Sequence, residues 1–130
     1  MNAHDVRAAL ASVPELKISS STTAEDADAA VRELGWLNQC LLGVMRYSGL
    51  TPWERHPDGD ELLHVIDGEV DVTLLTDSGP VEQTIRAGSV FVVPRGLWHR
   101  QLPKPVVAML FATPAKTTEI SFDDDPRPAA

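Results

Sequence analysis

Cys40 is the only cysteine in the 130-residue chain. No disulfide can therefore form within it, which fits a reducing compartment. No basic run occurs either. Acidic residues outnumber basic ones 19 to 11, for a formal net charge of −8 and a pI near 4.8. A surface of that sign repels phosphate backbones and anionic lipid, so nucleic acid and membrane surfaces are poor partners. No stretch approaches the ~18 continuous apolar residues of a membrane-spanning helix. The first residues, MNAHDVRAAL, lack the basic start and long apolar stretch of a signal peptide. These absences lead to the expectation of a soluble, cytoplasmic protein.

Hydrophobic residues make up 43% of the chain, an ordinary share for a globular protein. The length suits one domain with a modest core. Three zones are expected: an N-terminal helical extension over 1–35, a β domain over 36–113 and a solvated tail over 114–130. Residues 2–11 are Ala-rich and suggest a short helix. Thr22 and Glu25 have the spacing of a capping box, and helix formers continue from Ala24 to Leu34, with Gly35 as the stop. The tail, ending SFDDDPRPAA, is acidic and Pro-rich.

From Trp36 onward, short β-rich runs alternate with turn residues, the pattern of a sandwich or barrel. Candidate strands are 39–47, 61–66, 69–75, 81–86, 90–93, 99–102 and 106–112. Asp67-Gly68 between two such runs predicts a hairpin. Asp77-Ser78-Gly79-Pro80 predicts another turn, and Ala87-Gly88, Pro94-Arg95-Gly96 and Pro103-Lys104-Pro105 punctuate the remainder.

Three of the four histidines fall in this region: His56, His64 and His99. Alternate strand residues share a face, so Glu54 faces the same way as His56, and His99 the same way as Gln101. Glu61 shares a face with Leu63 and Val65; a carboxylate buried there needs a partner, and a metal ion is one. Two imidazoles and a carboxylate suit a first-row divalent ion with coordination positions to spare. His64 sits on the opposite face from Glu61. Cys40 reads as a small core residue. Trp36, Trp53 and Trp98 read as core or pocket lining, with Trp98 turned away from any metal. Arg46 and Gln101 are candidates for contacting a polar substrate, and Glu54 has salt-bridge rivals in Arg55 and Arg46.

Two spacings carry a family resemblance. His56 is followed after four residues by Glu61 and after six more by Gly68; Gly88 is followed after five by Pro94, after one by Gly96 and after two by His99. These resemble the two signature motifs of the cupin superfamily. The resemblance implies an all-β fold, the cupin double-stranded β-helix or jelly-roll barrel, here with short N-terminal helices. It also implies metal ligands at His56, Glu61 and His99. Three positions depart from the pattern. Glu54 stands where the first motif has its first histidine, Pro103 stands where an asparagine can close the second, and Ser48 stands in place of the opening glycine, with Gly49 beside it.

Glu54 is still an oxygen ligand. Two histidines and two carboxylates would favour a harder ion such as Mn(II) or Fe(II), with Ni(II) and Zn(II) as further possibilities. The fold hosts many chemistries and does not choose between them. One expectation is a metal-dependent enzyme acting on a small organic molecule by dioxygenase-, isomerase- or lyase-type chemistry, with Glu54 as general base if it is not a ligand. The others are a non-catalytic ligand-binding or sensory module and a metal-free structural cupin. The resemblance also implies a homodimer.

Overall fold

The computed structural model describes residues 1–128. Two short helices, α1 (Val6–Ala11) and α2 (Ala24–Ala29), flank a first strand, β1 (Glu15–Lys17). Eight more strands follow: β2 (Arg32–Leu37), β3 (Cys40–Ser48), β4 (Trp53–Arg55), β5 (Glu61–Thr76), β6 (Gly79–Arg86), β7 (Val90–Val93), β8 (His99–Pro114) and β9 (Glu119–Ser121). They form one hydrogen-bonded sheet. Its path runs β1, β3, β8, β4, β9; β2 pairs with β3, β5 pairs with β8, and β6 and β7 pair with β5. The path does not return on itself, so the expected barrel is a rolled sheet that stays open, held by the long antiparallel pair β5 and β8.

The N-terminal third differs most from expectation. Asp5 caps α1 by accepting from the Ala8 N–H at 2.8 Å, so the helix begins after it rather than at residue 2. The capping box is built one residue later than the spacing suggested, by Thr23 and Asp26. Helix α2 stops at Ala29 and buries none of its residues. Without an apolar stripe, helix propensity past that point yields to sheet pairing. Residues 32–37 instead run antiparallel to β3, with Trp36 opposite Leu41. The segment expected to be helical thus carries β1 and most of β2.

Two expected turns are interior to strands. Asp67-Gly68 lies within β5, and Pro103-Lys104-Pro105 lies within β8. Both flanks of each find their partners on the other: Val65 pairs with Met109, Gly68 with Val107 and Val70 with Pro103, with register shifts between Val65 and Asp67 and between Gly68 and Val70. The two strands bend together at matched bulges, so the turn residues curve the sheet instead of reversing the chain. Gly68 has φ +77°, and a Cβ there would lie 2.2 Å from the Val106 carbonyl oxygen, so only glycine fits. The predicted reversal at Asp77-Ser78 does occur, with Thr76 opposite Gly79.

The core lies inside the roll. Val65, Val70, Val72 and Val107 are fully buried there with Leu63, Met109 and Phe111. Each such side chain contributes about 1.5–3 kcal/mol by leaving water. On the outer face, Ala9 and Leu10 of α1 pack on Val44 and Ala108. Part of the expected tail is also structured. Strand β9 pairs with β4, and the Trp53 indole N–H donates to the Asp124 carbonyl at 3.0 Å. Positions 129 and 130 of that tail lie outside the described residues.

Candidate metal centre

Four side chains converge at the inside of the roll: Glu54, His56, Glu61 and His99, whose donor atoms all lie within 4.8 Å of one another. Each arrives by strand alternation. Glu54 is in β4, directly opposite His99 at the start of β8. Glu61 opens β5, facing inward with Leu63 and Val65. His56 follows β4 and is held by a loop contact, in which the Gly96 N–H donates to its carbonyl at 3.0 Å. Gly96 makes this turn at φ +77°. The loop also aims His99, whose Nδ1 donates to the Leu97 carbonyl at 3.1 Å. Because a carbonyl only accepts, this bond places the proton on Nδ1 and leaves the Nε2 lone pair facing the cluster.

Burial is nearly complete for three of the four. His56, Glu61 and His99 are 2%, 4% and 1% exposed, while the Glu54 side chain is 33% exposed and forms the solvent side of the cluster. The His56 Nε2 lies 3.0 Å from Glu54 Oε1 and 3.2 Å from Glu61 Oε2; the His99 Nε2 lies 3.3 Å from Glu61 Oε1 and 3.9 Å from Glu54 Oε1. Yet His56 Nε2, His99 Nε2 and Glu61 Oε1 make no hydrogen bond. Buried polar atoms are almost always paired. Three unpaired ones aimed at a common point, beside a second carboxylate, fit a cation. A first-row ion with bonds of about 2.1 Å separates adjacent donors by about 3.0 Å, the range seen here.

The outer atoms of Glu61 and His56 are tied down. The Thr113 hydroxyl donates to Glu61 Oε2 at 2.6 Å, and His56 Nδ1 lies 3.1 Å from the Thr118 hydroxyl. With no ion, protons play the cation's part. Burial opposes charge on His56, but the carboxylates of Glu54 and Glu61 outweigh it and push its pKa up to about 10. Burial likewise opposes charge on Glu61, but His56 and His99 hold it down to about 2. His99 is also raised, with Glu61 overcoming burial.

Neighbouring positions divide between the two faces. Gln101 faces inward, accepting from the Tyr47 hydroxyl, which also contacts Met109. Arg46 does not reach the interior. It alternates with buried Tyr47 and lies on the outer face, with Nη1 3.4 Å from the Val13 carbonyl. Neither Arg46 nor Arg55 pairs with Glu54; Arg55 binds Glu119 at 2.5 Å and stacks over Trp98 at 4.8 Å. His64 stands outside the cluster, its Nδ1 3.2 Å from the Ser89 carbonyl. Cys40 is half-buried at the start of β3.

Sequence reasoning missed Tyr47, Thr113 and Thr118. Tyr47 was legible as an alternate residue of a predicted strand. Thr113 shares the odd-numbered, inward face of β8 with His99, Met109 and Phe111, but it lies one residue beyond the expected strand 106–112. Thr118 carries no signal, because it precedes a strand in the expected tail.

A rolled antiparallel sheet that gathers imidazoles and carboxylates inside it defines a cupin-like protein. Residues 43–101, just under half of the chain, match the model of the cupin domain family. Among solved structures, it resembles a cupin-2 domain protein from Shewanella frigidimarina at 21% identity and TM-score 0.58, over 73% of this chain and 95% of that one. It also resembles an oxalate oxidase in complex with the substrate analogue glycolate, at 25% identity and TM-score 0.54, over 63% and 46% of the two chains. A germin-like protein of Arabidopsis thaliana, subfamily 2 member 4, is 36% identical over 78 residues, 56% of this chain. The match spans only 36% of that relative's length.

Proposed function

We propose that this chain is a metal-dependent enzyme acting on a small organic molecule, with a divalent ion held by Glu54, His56, Glu61 and His99. The observation that carries this reading is the set of three buried, unpaired donor atoms closing on one point with Glu54 Oε1. Two carboxylates in the donor set favour Mn(II) or Fe(II) over softer ions. When bound, the ion supplies a Lewis acid with positions left for a small organic ligand.

The residues around it supply the remainder. Thr113 and Thr118 hold Glu61 and His56 in place. Buried hydrophobic side chains exclude water from the inner side. Glu54, one-third exposed, is the member of the cluster that solvent reaches; that exposure supports an enzyme over a closed binding module. Dioxygenase-, isomerase- and lyase-type reactions all suit such a centre.

Anaerobic reconstitution with Mn(II), Fe(II), Ni(II) or Zn(II), followed by elemental analysis and turnover assays on small hydroxy acids, keto acids and phenols, tests the proposal. Retained metal with turnover of at least one class is expected, and both should vanish in His99→Ala. Purified protein that retains none of the four ions would refute it.

A further inference from the structure

The charge of the centre narrows its ligand. Glu54 occupies the position where the motif it resembles has a histidine, so the donor set brings two carboxylates rather than one. A divalent ion between two neutral imidazoles and two carboxylates has no formal charge left over. With a third histidine in place of Glu54 the same centre would carry one positive charge. An arriving anion would be attracted to the second arrangement and gains nothing from the first.

Among the described residues, the cations next to the cluster in sequence or across the loop are engaged elsewhere, Arg95 donating through Nε to the Pro57 carbonyl at 2.6 Å. Arg55 and Arg100 adjoin ligands in sequence but alternate to the other face. Arg55 is paired with Glu119, and Arg100 lies over the Trp53 ring at 4.4 Å. Arg46 is on the outer face at the Val13 carbonyl. Lys104 is 2.6 Å from Asp71. The inward polar groups beside the cluster, Tyr47 and Gln101, are a hydroxyl and an amide joined to each other. Burial, reinforced by the charges of Glu61 and Glu54, keeps the Tyr47 hydroxyl protonated by raising its pKa. Glu54 is the exposed member of the cluster, so a ligand entering from solvent meets a carboxylate first.

We propose that the loaded centre selects uncharged small ligands bearing a hydroxyl, carbonyl or phenol oxygen, and disfavours small carboxylate anions such as oxalate and glycolate. This rests on the metal reading above and assigns Glu54 the role of charge selector.

The test uses Mn(II)-loaded full-length protein and two probes of nearly equal shape, glycolate and its neutral amide, glycolamide. Binding is read from the Mn(II) paramagnetic resonance spectrum. The wild type should bind glycolate no more tightly than glycolamide. In Glu54→Gln and Glu54→His, each checked for metal content and folded circular dichroism, the glycolate-to-glycolamide affinity ratio should rise at least about tenfold. The inference is overturned if Mn(II)-loaded wild type binds glycolate about tenfold or more tighter than glycolamide. It is equally overturned if the ratio is unchanged in both metal-holding variants. Protein that takes up none of the four ions removes both this inference and the metal reading, whereas Mn(II) uptake with an anion-preferring wild type removes this inference alone.

Discussion

Glu61 and Leu63 sit two residues apart on the inner face of β5, and both are buried, at 4% and 1% exposure. Their energetics are opposite. Leu63 is surrounded by apolar neighbours, and its burial is favourable by itself. Glu61 lost its water for a place among two imidazoles and a threonine, and one of its oxygens is unpaired. It is tolerable only while a positive charge stands nearby, whether protons on the histidines or a metal ion. One strand thus joins a part of the interior that stabilises the fold to a part that the fold must hold in place.

The largest effect that separates the two regions is loss of the ligands. His99→Ala or Glu61→Ala should abolish stoichiometric metal uptake, measured by elemental analysis, while a core substitution should leave uptake intact in whatever fraction stays folded. Leu63→Ala should cost about 2–5 kcal/mol in denaturant unfolding, more than His99→Ala costs the metal-free protein.

The metal-free protein should also show the cluster in its pH response. His56 is raised from 6.5 to about 10, so its contribution to stability is complete below pH 6.5 and is lost as pH rises through 10. Glu61 is lowered from 4.5 to about 2, so its contribution is complete above pH 4.5 and is lost as pH falls through 2. The site therefore supports the fold most between 4.5 and 6.5, and the metal-free Tm should fall as pH climbs from there toward 10. Metal affinity should move the other way, rising across the same alkaline window, because the ion must displace protons from both histidines. A Tm that does not fall over that range in the metal-free protein would erase the contrast between the two regions.

Smaller effects sharpen it. Thr113→Val removes the bond that orients Glu61; it should weaken metal binding by about 10–100-fold in competition with a chelator, with little change in core stability. Arg46→Ala, on the outer face, should change unfolding free energy by less than about 0.5 kcal/mol and leave metal affinity unchanged.

How much was legible follows from the same physics. The cluster residues were readable because strand alternation and fixed motif spacing do not depend on distant contacts. His56, Glu61 and His99 lie together as the spacing required, and Glu54 joins them. Features decided by long-range pairing were not readable. Asp67-Gly68 has the local chemistry of a hairpin, yet β8 pairs with both of its flanks. Residues 32–34 have helix propensity, yet the strand beside them captures the backbone. Arg46 was placed by residue type, but its face was fixed by Tyr47 packing inside the roll.

The central claim is that a cation sits among these four side chains. Crystals of protein grown with Mn(II), measured at a wavelength that gives manganese anomalous signal, test it most directly. The account predicts a single strong peak within about 2.3 Å of the Nε2 atoms of His56 and His99 and of an oxygen from each of Glu54 and Glu61. A map with no peak there, and the imidazoles bonded to the carboxylates instead, would contradict it.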